Sequence, residues 1–233
     1  MIFKTVKESS RYKFSSLLPC TDDFSQMITI TDELIMIYTN YFGELPRAFH
    51  LVNDYSNNRF PMTRRDINTI FVNCPTFYAN QFLFQLSHEL CHWMIPSDVP
   101  TNLRWIEESF SVLASIFFPP LLESCPNDYS DYAFNSSSQI APLCVKTPSF
   151  PNSNMVSILE TGSGTDNFND YGSYYNIAVA LHPLFAENPI LWKSIHVLSK
   201  IPSGLPFNES LEMYCTLATP DTSRIIREAK EFY

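Results

Sequence analysis

The chain has 233 residues, room for one substantial core or a catalytic domain with a small appendage, and its 45% apolar, 17% charged and 15% aromatic residues exclude a disordered chain. A net charge of −9, with no basic run longer than Arg64-Arg65, argues against a nucleic-acid partner, because neutralising phosphates needs clustered Lys and Arg. No apolar stretch approaches the roughly eighteen residues a membrane span needs, and Met1–Glu8 leads into no leader-like apolar run.

Cytoplasm is therefore the expected compartment. The six cysteines, at 20, 74, 91, 125, 144 and 215, show no CxxC spacing and read as reduced, mostly buried thiols. Cys125 with Cys144 is the pairing to check for a disulfide. Asn135-Ser136-Ser137 and Asn208-Glu209-Ser210 match glycosylation acceptors, which carry no weight without a secretory leader.

Residues 11 to 18 read as a strand. Asp22-Asp23 then open a helix whose apolar positions Phe24, Met27, Ile28, Leu34, Ile35 and Tyr38 fall at helical spacing, with Thr31 interrupting the stripe, and Gly43 ends it before Pro46. Strands follow at 47–53 and 67–73, separated by polar residues. Strands flanked by helices point to the α+β class.

From about 77 to 95 a helical pattern carries Ala79, Phe82, Leu83, Leu86, Leu90, Trp93 and Met94, with Pro96 beyond its end. A second helix runs from about 102 to 118 and halts at Pro119-Pro120. Residues 119–170, rich in Ser, Asn, Pro and Asp, read as an irregular insertion. Helical texture returns at 173–185, 189–198, 207–217 and 221–232. The expected organisation is a sheet-containing part at 1–118, the insertion at 119–170, and a helical C-terminal part at 171–233.

Within the first of those helices stands His88-Glu89-Leu90-Cys91-His92. Four residues advance a helix slightly more than one turn, so both imidazoles project from nearly one face and can reach a single zinc at about 2.0–2.1 Å, with a third protein ligand and a water completing its shell. Glu89, one residue round from His88, is placed to take that water's proton. No third histidine follows His92 closely, but Trp105-Ile106-Glu107-Glu108-Ser109-Phe110-Ser111 on the next helix supplies carboxylates. The ligand set reads as His, His, Glu. An apolar stripe of Leu103, Ile106, Phe110, Leu113 and Phe117 lies nearer Glu107, while Trp105, Val112 and Ile116 form a second stripe, so periodicity alone does not choose between Glu107 and Glu108.

That stretch resembles the W-L-N-E-G-F-A segment of aminopeptidase N-like gluzincins, in which the glutamate three after the tryptophan is a zinc ligand. The resemblance assigns that role to Glu108, although the fifteen residues between His92 and Glu108 are fewer than usual in the family. Leu34 to Gly43, followed by the strand at 47–53, is similar to the helix, Y-F-G turn and strand that open the family's catalytic domain. Ser173-Tyr174-Tyr175-Asn176-Ile177-Ala178 resembles the later Y-x-K-G-A helix, whose tyrosine binds the oxyanion; Tyr174 takes that place, with Tyr171 and Tyr175 as rivals.

The resemblance implies a thermolysin-like zincin domain in minimal form, one zinc ion, and a peptide or protein substrate. Nothing like the family's amine-binding G-x-M-E-N segment precedes the zinc helix; the chain reads Arg59-Phe60-Pro61-Met62-Thr63-Arg64-Arg65-Asp66 there, which leaves endo- and aminopeptidase action both open. Two other readings stand beside the hydrolase. One is a regulatory or binding protein that keeps zinc but does not cleave, although an intact Glu89 has no purpose there. The other is a metal-free helical domain in which these polar residues satisfy one another.

Overall fold

The computed structural model describes residues 4–17, 23–55, 60–76, 78–133 and 171–231. Most of the expected insertion, 134–170, and Cys20 and Cys144 with it, lie outside the described residues. The chain divides into two compact units, Met1–Met94 with Ala114–Ala133, and Ile95–Leu113 with Phe134–Tyr233.

The first unit holds a five-stranded mixed sheet in the order β1-β2-β3-β5-β4, formed by β1 (Lys4–Glu8), β2 (Tyr12–Ser16), β3 (Phe49–Asn53), β4 (Met62–Arg64) and β5 (Thr69–Val72). β2, β3 and β5 run parallel, while β1 and β4 pair antiparallel at the two edges. A parallel neighbour requires a crossover, and α1 (Ser25–Phe42) supplies it between β2 and β3.

Helix α1 begins where Asp23 accepts the Ser25 N–H at 2.9 Å, which holds the Asp23 carboxyl below its usual range. It ends at Gly43, whose φ of 105° favours a residue without Cβ and whose N–H donates to the Thr39 carbonyl at 3.1 Å. Thr31 does not interrupt the buried stripe. It is itself buried, because its hydroxyl donates to the Met27 carbonyl one turn back at 2.7 Å and so needs no water.

Paired residues on neighbouring strands share a face. Phe14, Leu51, Ile70 and Thr63 stand in register across β2, β3, β5 and β4, so these four side chains form one row. Phe14 meets Phe82 of α2 (Ala79–Met94), with ring centroids 6.2 Å apart, and Phe49 of the same face meets Trp93, also of α2, at 5.6 Å. On that face too, Tyr12 donates to Asp32 of α1 at 3.0 Å. Both helices therefore cover one side of the sheet. The row's outermost member, Thr63, sits on the edge strand.

Helix α2 is buried almost continuously from Phe82 to Met94. Polar side chains fix its height against the sheet. Asn53, buried at the end of β3, donates to the Cys74 carbonyl at 2.8 Å and accepts the Cys74 N–H at 3.2 Å. Gln85 accepts the Asn73 N–H at 2.8 Å, and Gln81 donates to the Asn73 carbonyl at 2.7 Å. Near the helix end, Trp93 donates to the Arg47 carbonyl at 3.2 Å, and the Arg47 guanidinium lies 4.9 Å from the Trp93 ring centre.

Helix α3 (Arg104–Phe117) begins in the second unit and ends in the first. A 3₁₀ turn at Thr101–Leu103 leads into it. The rest of the second unit is helical: α4 (Tyr171–Glu187), a run of 3₁₀ turns at Pro189–Lys200, α5 (Phe207–Leu217) and α6 (Pro220–Glu231). Phe185 links Phe110 and Trp192 in one aromatic cluster, with centroids at 5.8 and 4.8 Å. Asn102 donates to the Leu205 carbonyl at 3.0 Å, and Ser223 to the Cys215 carbonyl at 2.7 Å.

The α+β expectation therefore holds at the level of a five-stranded mixed sheet with a mostly helical remainder. Two strands, β1 and β4, are additions to the sequence reading. Cys74, Cys91 and Cys215 are buried and Cys125 is half-buried, with no disulfide among the described residues. No described helix is long and apolar enough to cross a membrane.

Candidate metal centre

His88, Glu89 and His92 are all buried on α2, 5%, 4% and 9% exposed. Burying three polar groups on one helix is costly unless each is engaged, which directs attention to what they face. The two imidazoles, one turn apart, have ring centroids 4.9 Å apart at 63°, and their Nε2 atoms stand 3.2 Å from one another. The Nε2 atoms are thus the ring nitrogens that approach one another.

The Glu89 carboxylate is held from the sheet. Thr63 Oγ1 lies 2.8 Å from Glu89 Oε2 and 2.9 Å from the Glu89 main-chain oxygen. One turn further along, the Arg65 guanidinium donates to the His92 carbonyl at 2.5 Å. On the other side of the helix the Tyr38 hydroxyl donates to the Ser87 carbonyl at 2.5 Å and meets Ser87 Oγ at 2.9 Å. Burial, followed by the nearby Cys91, pushes the Tyr38 phenol well above its usual pKa, so it remains a neutral donor.

On α3, Glu107 is 4% exposed and Glu108 is half-buried. The more exposed glutamate is the one that joins the histidines: ligand atoms of His88, His92 and Glu108 all lie within 4.8 Å of one another. Glu107, carried inward with the apolar stripe, is not part of that cluster.

The donor set suits zinc. Two nitrogens bound tetrahedrally at about 2.0–2.1 Å stand about 3.3–3.4 Å apart, and the Nε2 atoms are 3.2 Å apart. Two borderline imidazoles and one harder carboxylate are a donor set that zinc accepts.

No protein-family model matches the sequence, and no curated protein matches it. Among solved structures, the crystal structure of an M1 zinc metallopeptidase from Deinococcus radiodurans is similar, with a TM-score of 0.50 and 15% sequence identity. The likeness is one of fold. It covers 97% of this chain and 49% of that one, so the chain spans about half the length of the structure it matches.

Tyr174 is buried on α4, 2% exposed, and Tyr175 beside it is half-buried; both belong to the second unit. Thr63 and Arg65, which touch the histidine helix directly, are given no role by the sequence reading. Their signal was weak, because β4 is a three-residue strand with mainly polar side chains.

Proposed function

We propose that this chain is a zinc-dependent peptide hydrolase of the gluzincin type, with His88, His92 and Glu108 holding the metal and Glu89 acting as general base. The observation that supports this most strongly is the approach of three ligand atoms, two on one helix and one on the next, to within 4.8 Å. The fold likeness to a zinc metallopeptidase supports it independently.

Zinc, when bound, supplies Lewis acidity that polarises a scissile carbonyl and makes water acidic at about neutral pH. The chain's own residues supply the rest. Glu89 follows His88 directly on α2, so its carboxylate borders the metal position and can take a proton from the attacking water, then return it to the leaving amine. Tyr174 is the proposed donor to the oxyanion. A protein that merely stored zinc would have no task for Glu89.

The test is Glu89→Gln, which keeps shape and removes the base. Zinc content by elemental analysis should equal that of the wild type, while turnover of a quenched peptide library drops by about 10²–10⁴-fold. Equal turnover in the two proteins removes Glu89 from the chemistry, and a wild type that takes up no zinc on reconstitution removes the hydrolase reading altogether.

A further inference from the structure

Glu89 needs more than proximity to work as a base. A glutamate side chain has three rotatable bonds and samples several rotamers, only some of which present an oxygen to water at the metal position. Something must select one. Among the described residues, the edge of the sheet supplies a candidate.

Thr63 is the outermost side chain of the row Phe14, Leu51, Ile70, Thr63, on the face that α2 covers. The three inner members are fully buried and apolar, whereas the fourth is a half-buried hydroxyl. Its Oγ1 lies within hydrogen-bond distance of two atoms of one residue, Glu89 Oε2 at 2.8 Å and Glu89 O at 2.9 Å. A hydroxyl has one proton to give. Either Glu89 oxygen can accept it, so the hydroxyl ties the side chain to the main chain of the same residue.

From this geometry, and resting on the hydrolase reading above, we propose that Thr63 is the positioning residue of the general base. It pins Oε2 against the edge strand, so that Oε1 is the oxygen presented for proton transfer. Because the Glu89 main-chain oxygen lies beside Oε2, the Thr63 hydroxyl is anchored to the helix backbone as well as to the carboxylate. A β-branched residue suits this role, since its stiff χ1 on a strand holds the hydroxyl in one direction.

Thr63→Val keeps the branching and volume and removes only the hydroxyl, while Thr63→Ser keeps the hydroxyl. Wild type, T63V, T63S, E89Q and T63V/E89Q are compared for zinc content, thermal melting and steady-state hydrolysis of a quenched peptide. The expected result for T63V is full zinc content and a KM near wild type, with kcat lowered roughly 10–100-fold, the range for removing a partner that orients a site residue. T63S should stay within a few-fold of wild type.

In the E89Q background T63V should lower kcat no further, because a residue that acts only through Glu89 has nothing left to position. T63V with wild-type kcat overturns the proposal. So does T63S as impaired as T63V, a T63V loss that follows lost zinc or lost folding, or a further fall in the double variant. If the wild type itself cleaves no peptide, the proposed function fails first, and the inference about Thr63 fails with it.

Discussion

Ser87, the residue before His88, joins α2 to the end of α3: its hydroxyl donates to the Ala114 carbonyl at 3.0 Å. The bond is answered in the opposite direction by Ser115, which donates to the Phe84 carbonyl at 3.2 Å. Small hydroxylated residues let the two helices approach closely while keeping each buried oxygen engaged. Tyr38 of α1 completes the arrangement by donating to the Ser87 carbonyl, with its hydroxyl oxygen 2.9 Å from Ser87 Oγ. Tyr38→Phe removes a buried hydroxyl from this group and leaves its partners short of a donor, so unfolding free energy should fall by about 1–3 kcal/mol. Urea denaturation of zinc-loaded protein measures it. An unchanged midpoint would mean that the phenol is dispensable to the helix seam.

His88 and His92 supply two of the three ligand atoms of the candidate site, so removing either should abolish tight zinc uptake. Metal that binds only the folded chain stabilises it by mass action. Wild-type protein should therefore melt at a lower temperature after treatment with a chelator and recover on adding zinc. His92→Ala should melt at one temperature under both conditions. Zinc-dependent melting retained in that variant would place the metal elsewhere.

The two adjacent glutamates offer a sharper discrimination. Glu108→Gln exchanges an anionic ligand for a weak neutral one and should lower zinc affinity at least 10-fold, whereas Glu107→Gln, outside the ligand cluster, should leave zinc stoichiometry intact. Competition against a chromogenic chelator reads both. The reverse pattern would transfer the ligand role to Glu107.

The parts of this site that were legible in sequence are those with a strong local signature. HExxH on a helix needs only the α-helical period to predict that His88 and His92 share a face, and the pair does converge. Periodicity could not choose between Glu107 and Glu108, because α3 is buried on most of its surface and a hydrophobic stripe marks the core rather than the ligand. The choice of Glu108 came from the tryptophan three residues earlier, by resemblance.

Thr63 was illegible for a different reason. Met62-Thr63-Arg64 is a strand because β5 pairs with it, not because of its composition, and no local pattern reports a contact with a residue 26 positions away. Thr31 misled in the same way, since its internal hydrogen bond lets a polar residue occupy a core position.

Two histidines outside the candidate site predict that the fold loses stability in acid. Partial burial and the nearby Lys13 lower the pKa of His50, whose Nε2 lies 2.8 Å from the Ser15 hydroxyl; burial and Lys200 do the same for His196. A folded histidine with a depressed pKa binds fewer protons than the same residue in the unfolded chain, which titrates near about 6.5. Stability therefore rises with pH across the interval between the folded and unfolded values. As pH falls below about 6.5 the unfolded state gains protons first and stability is lost, until the folded histidines protonate as well and the loss levels off. Metal release would add its own acid dependence, so the measurement uses chelated protein and compares wild type with His50→Gln by urea midpoint between pH 8 and 5. The wild type should lose more stability than the variant over that range. Parallel pH profiles in the two proteins would show that His50 carries none of the effect.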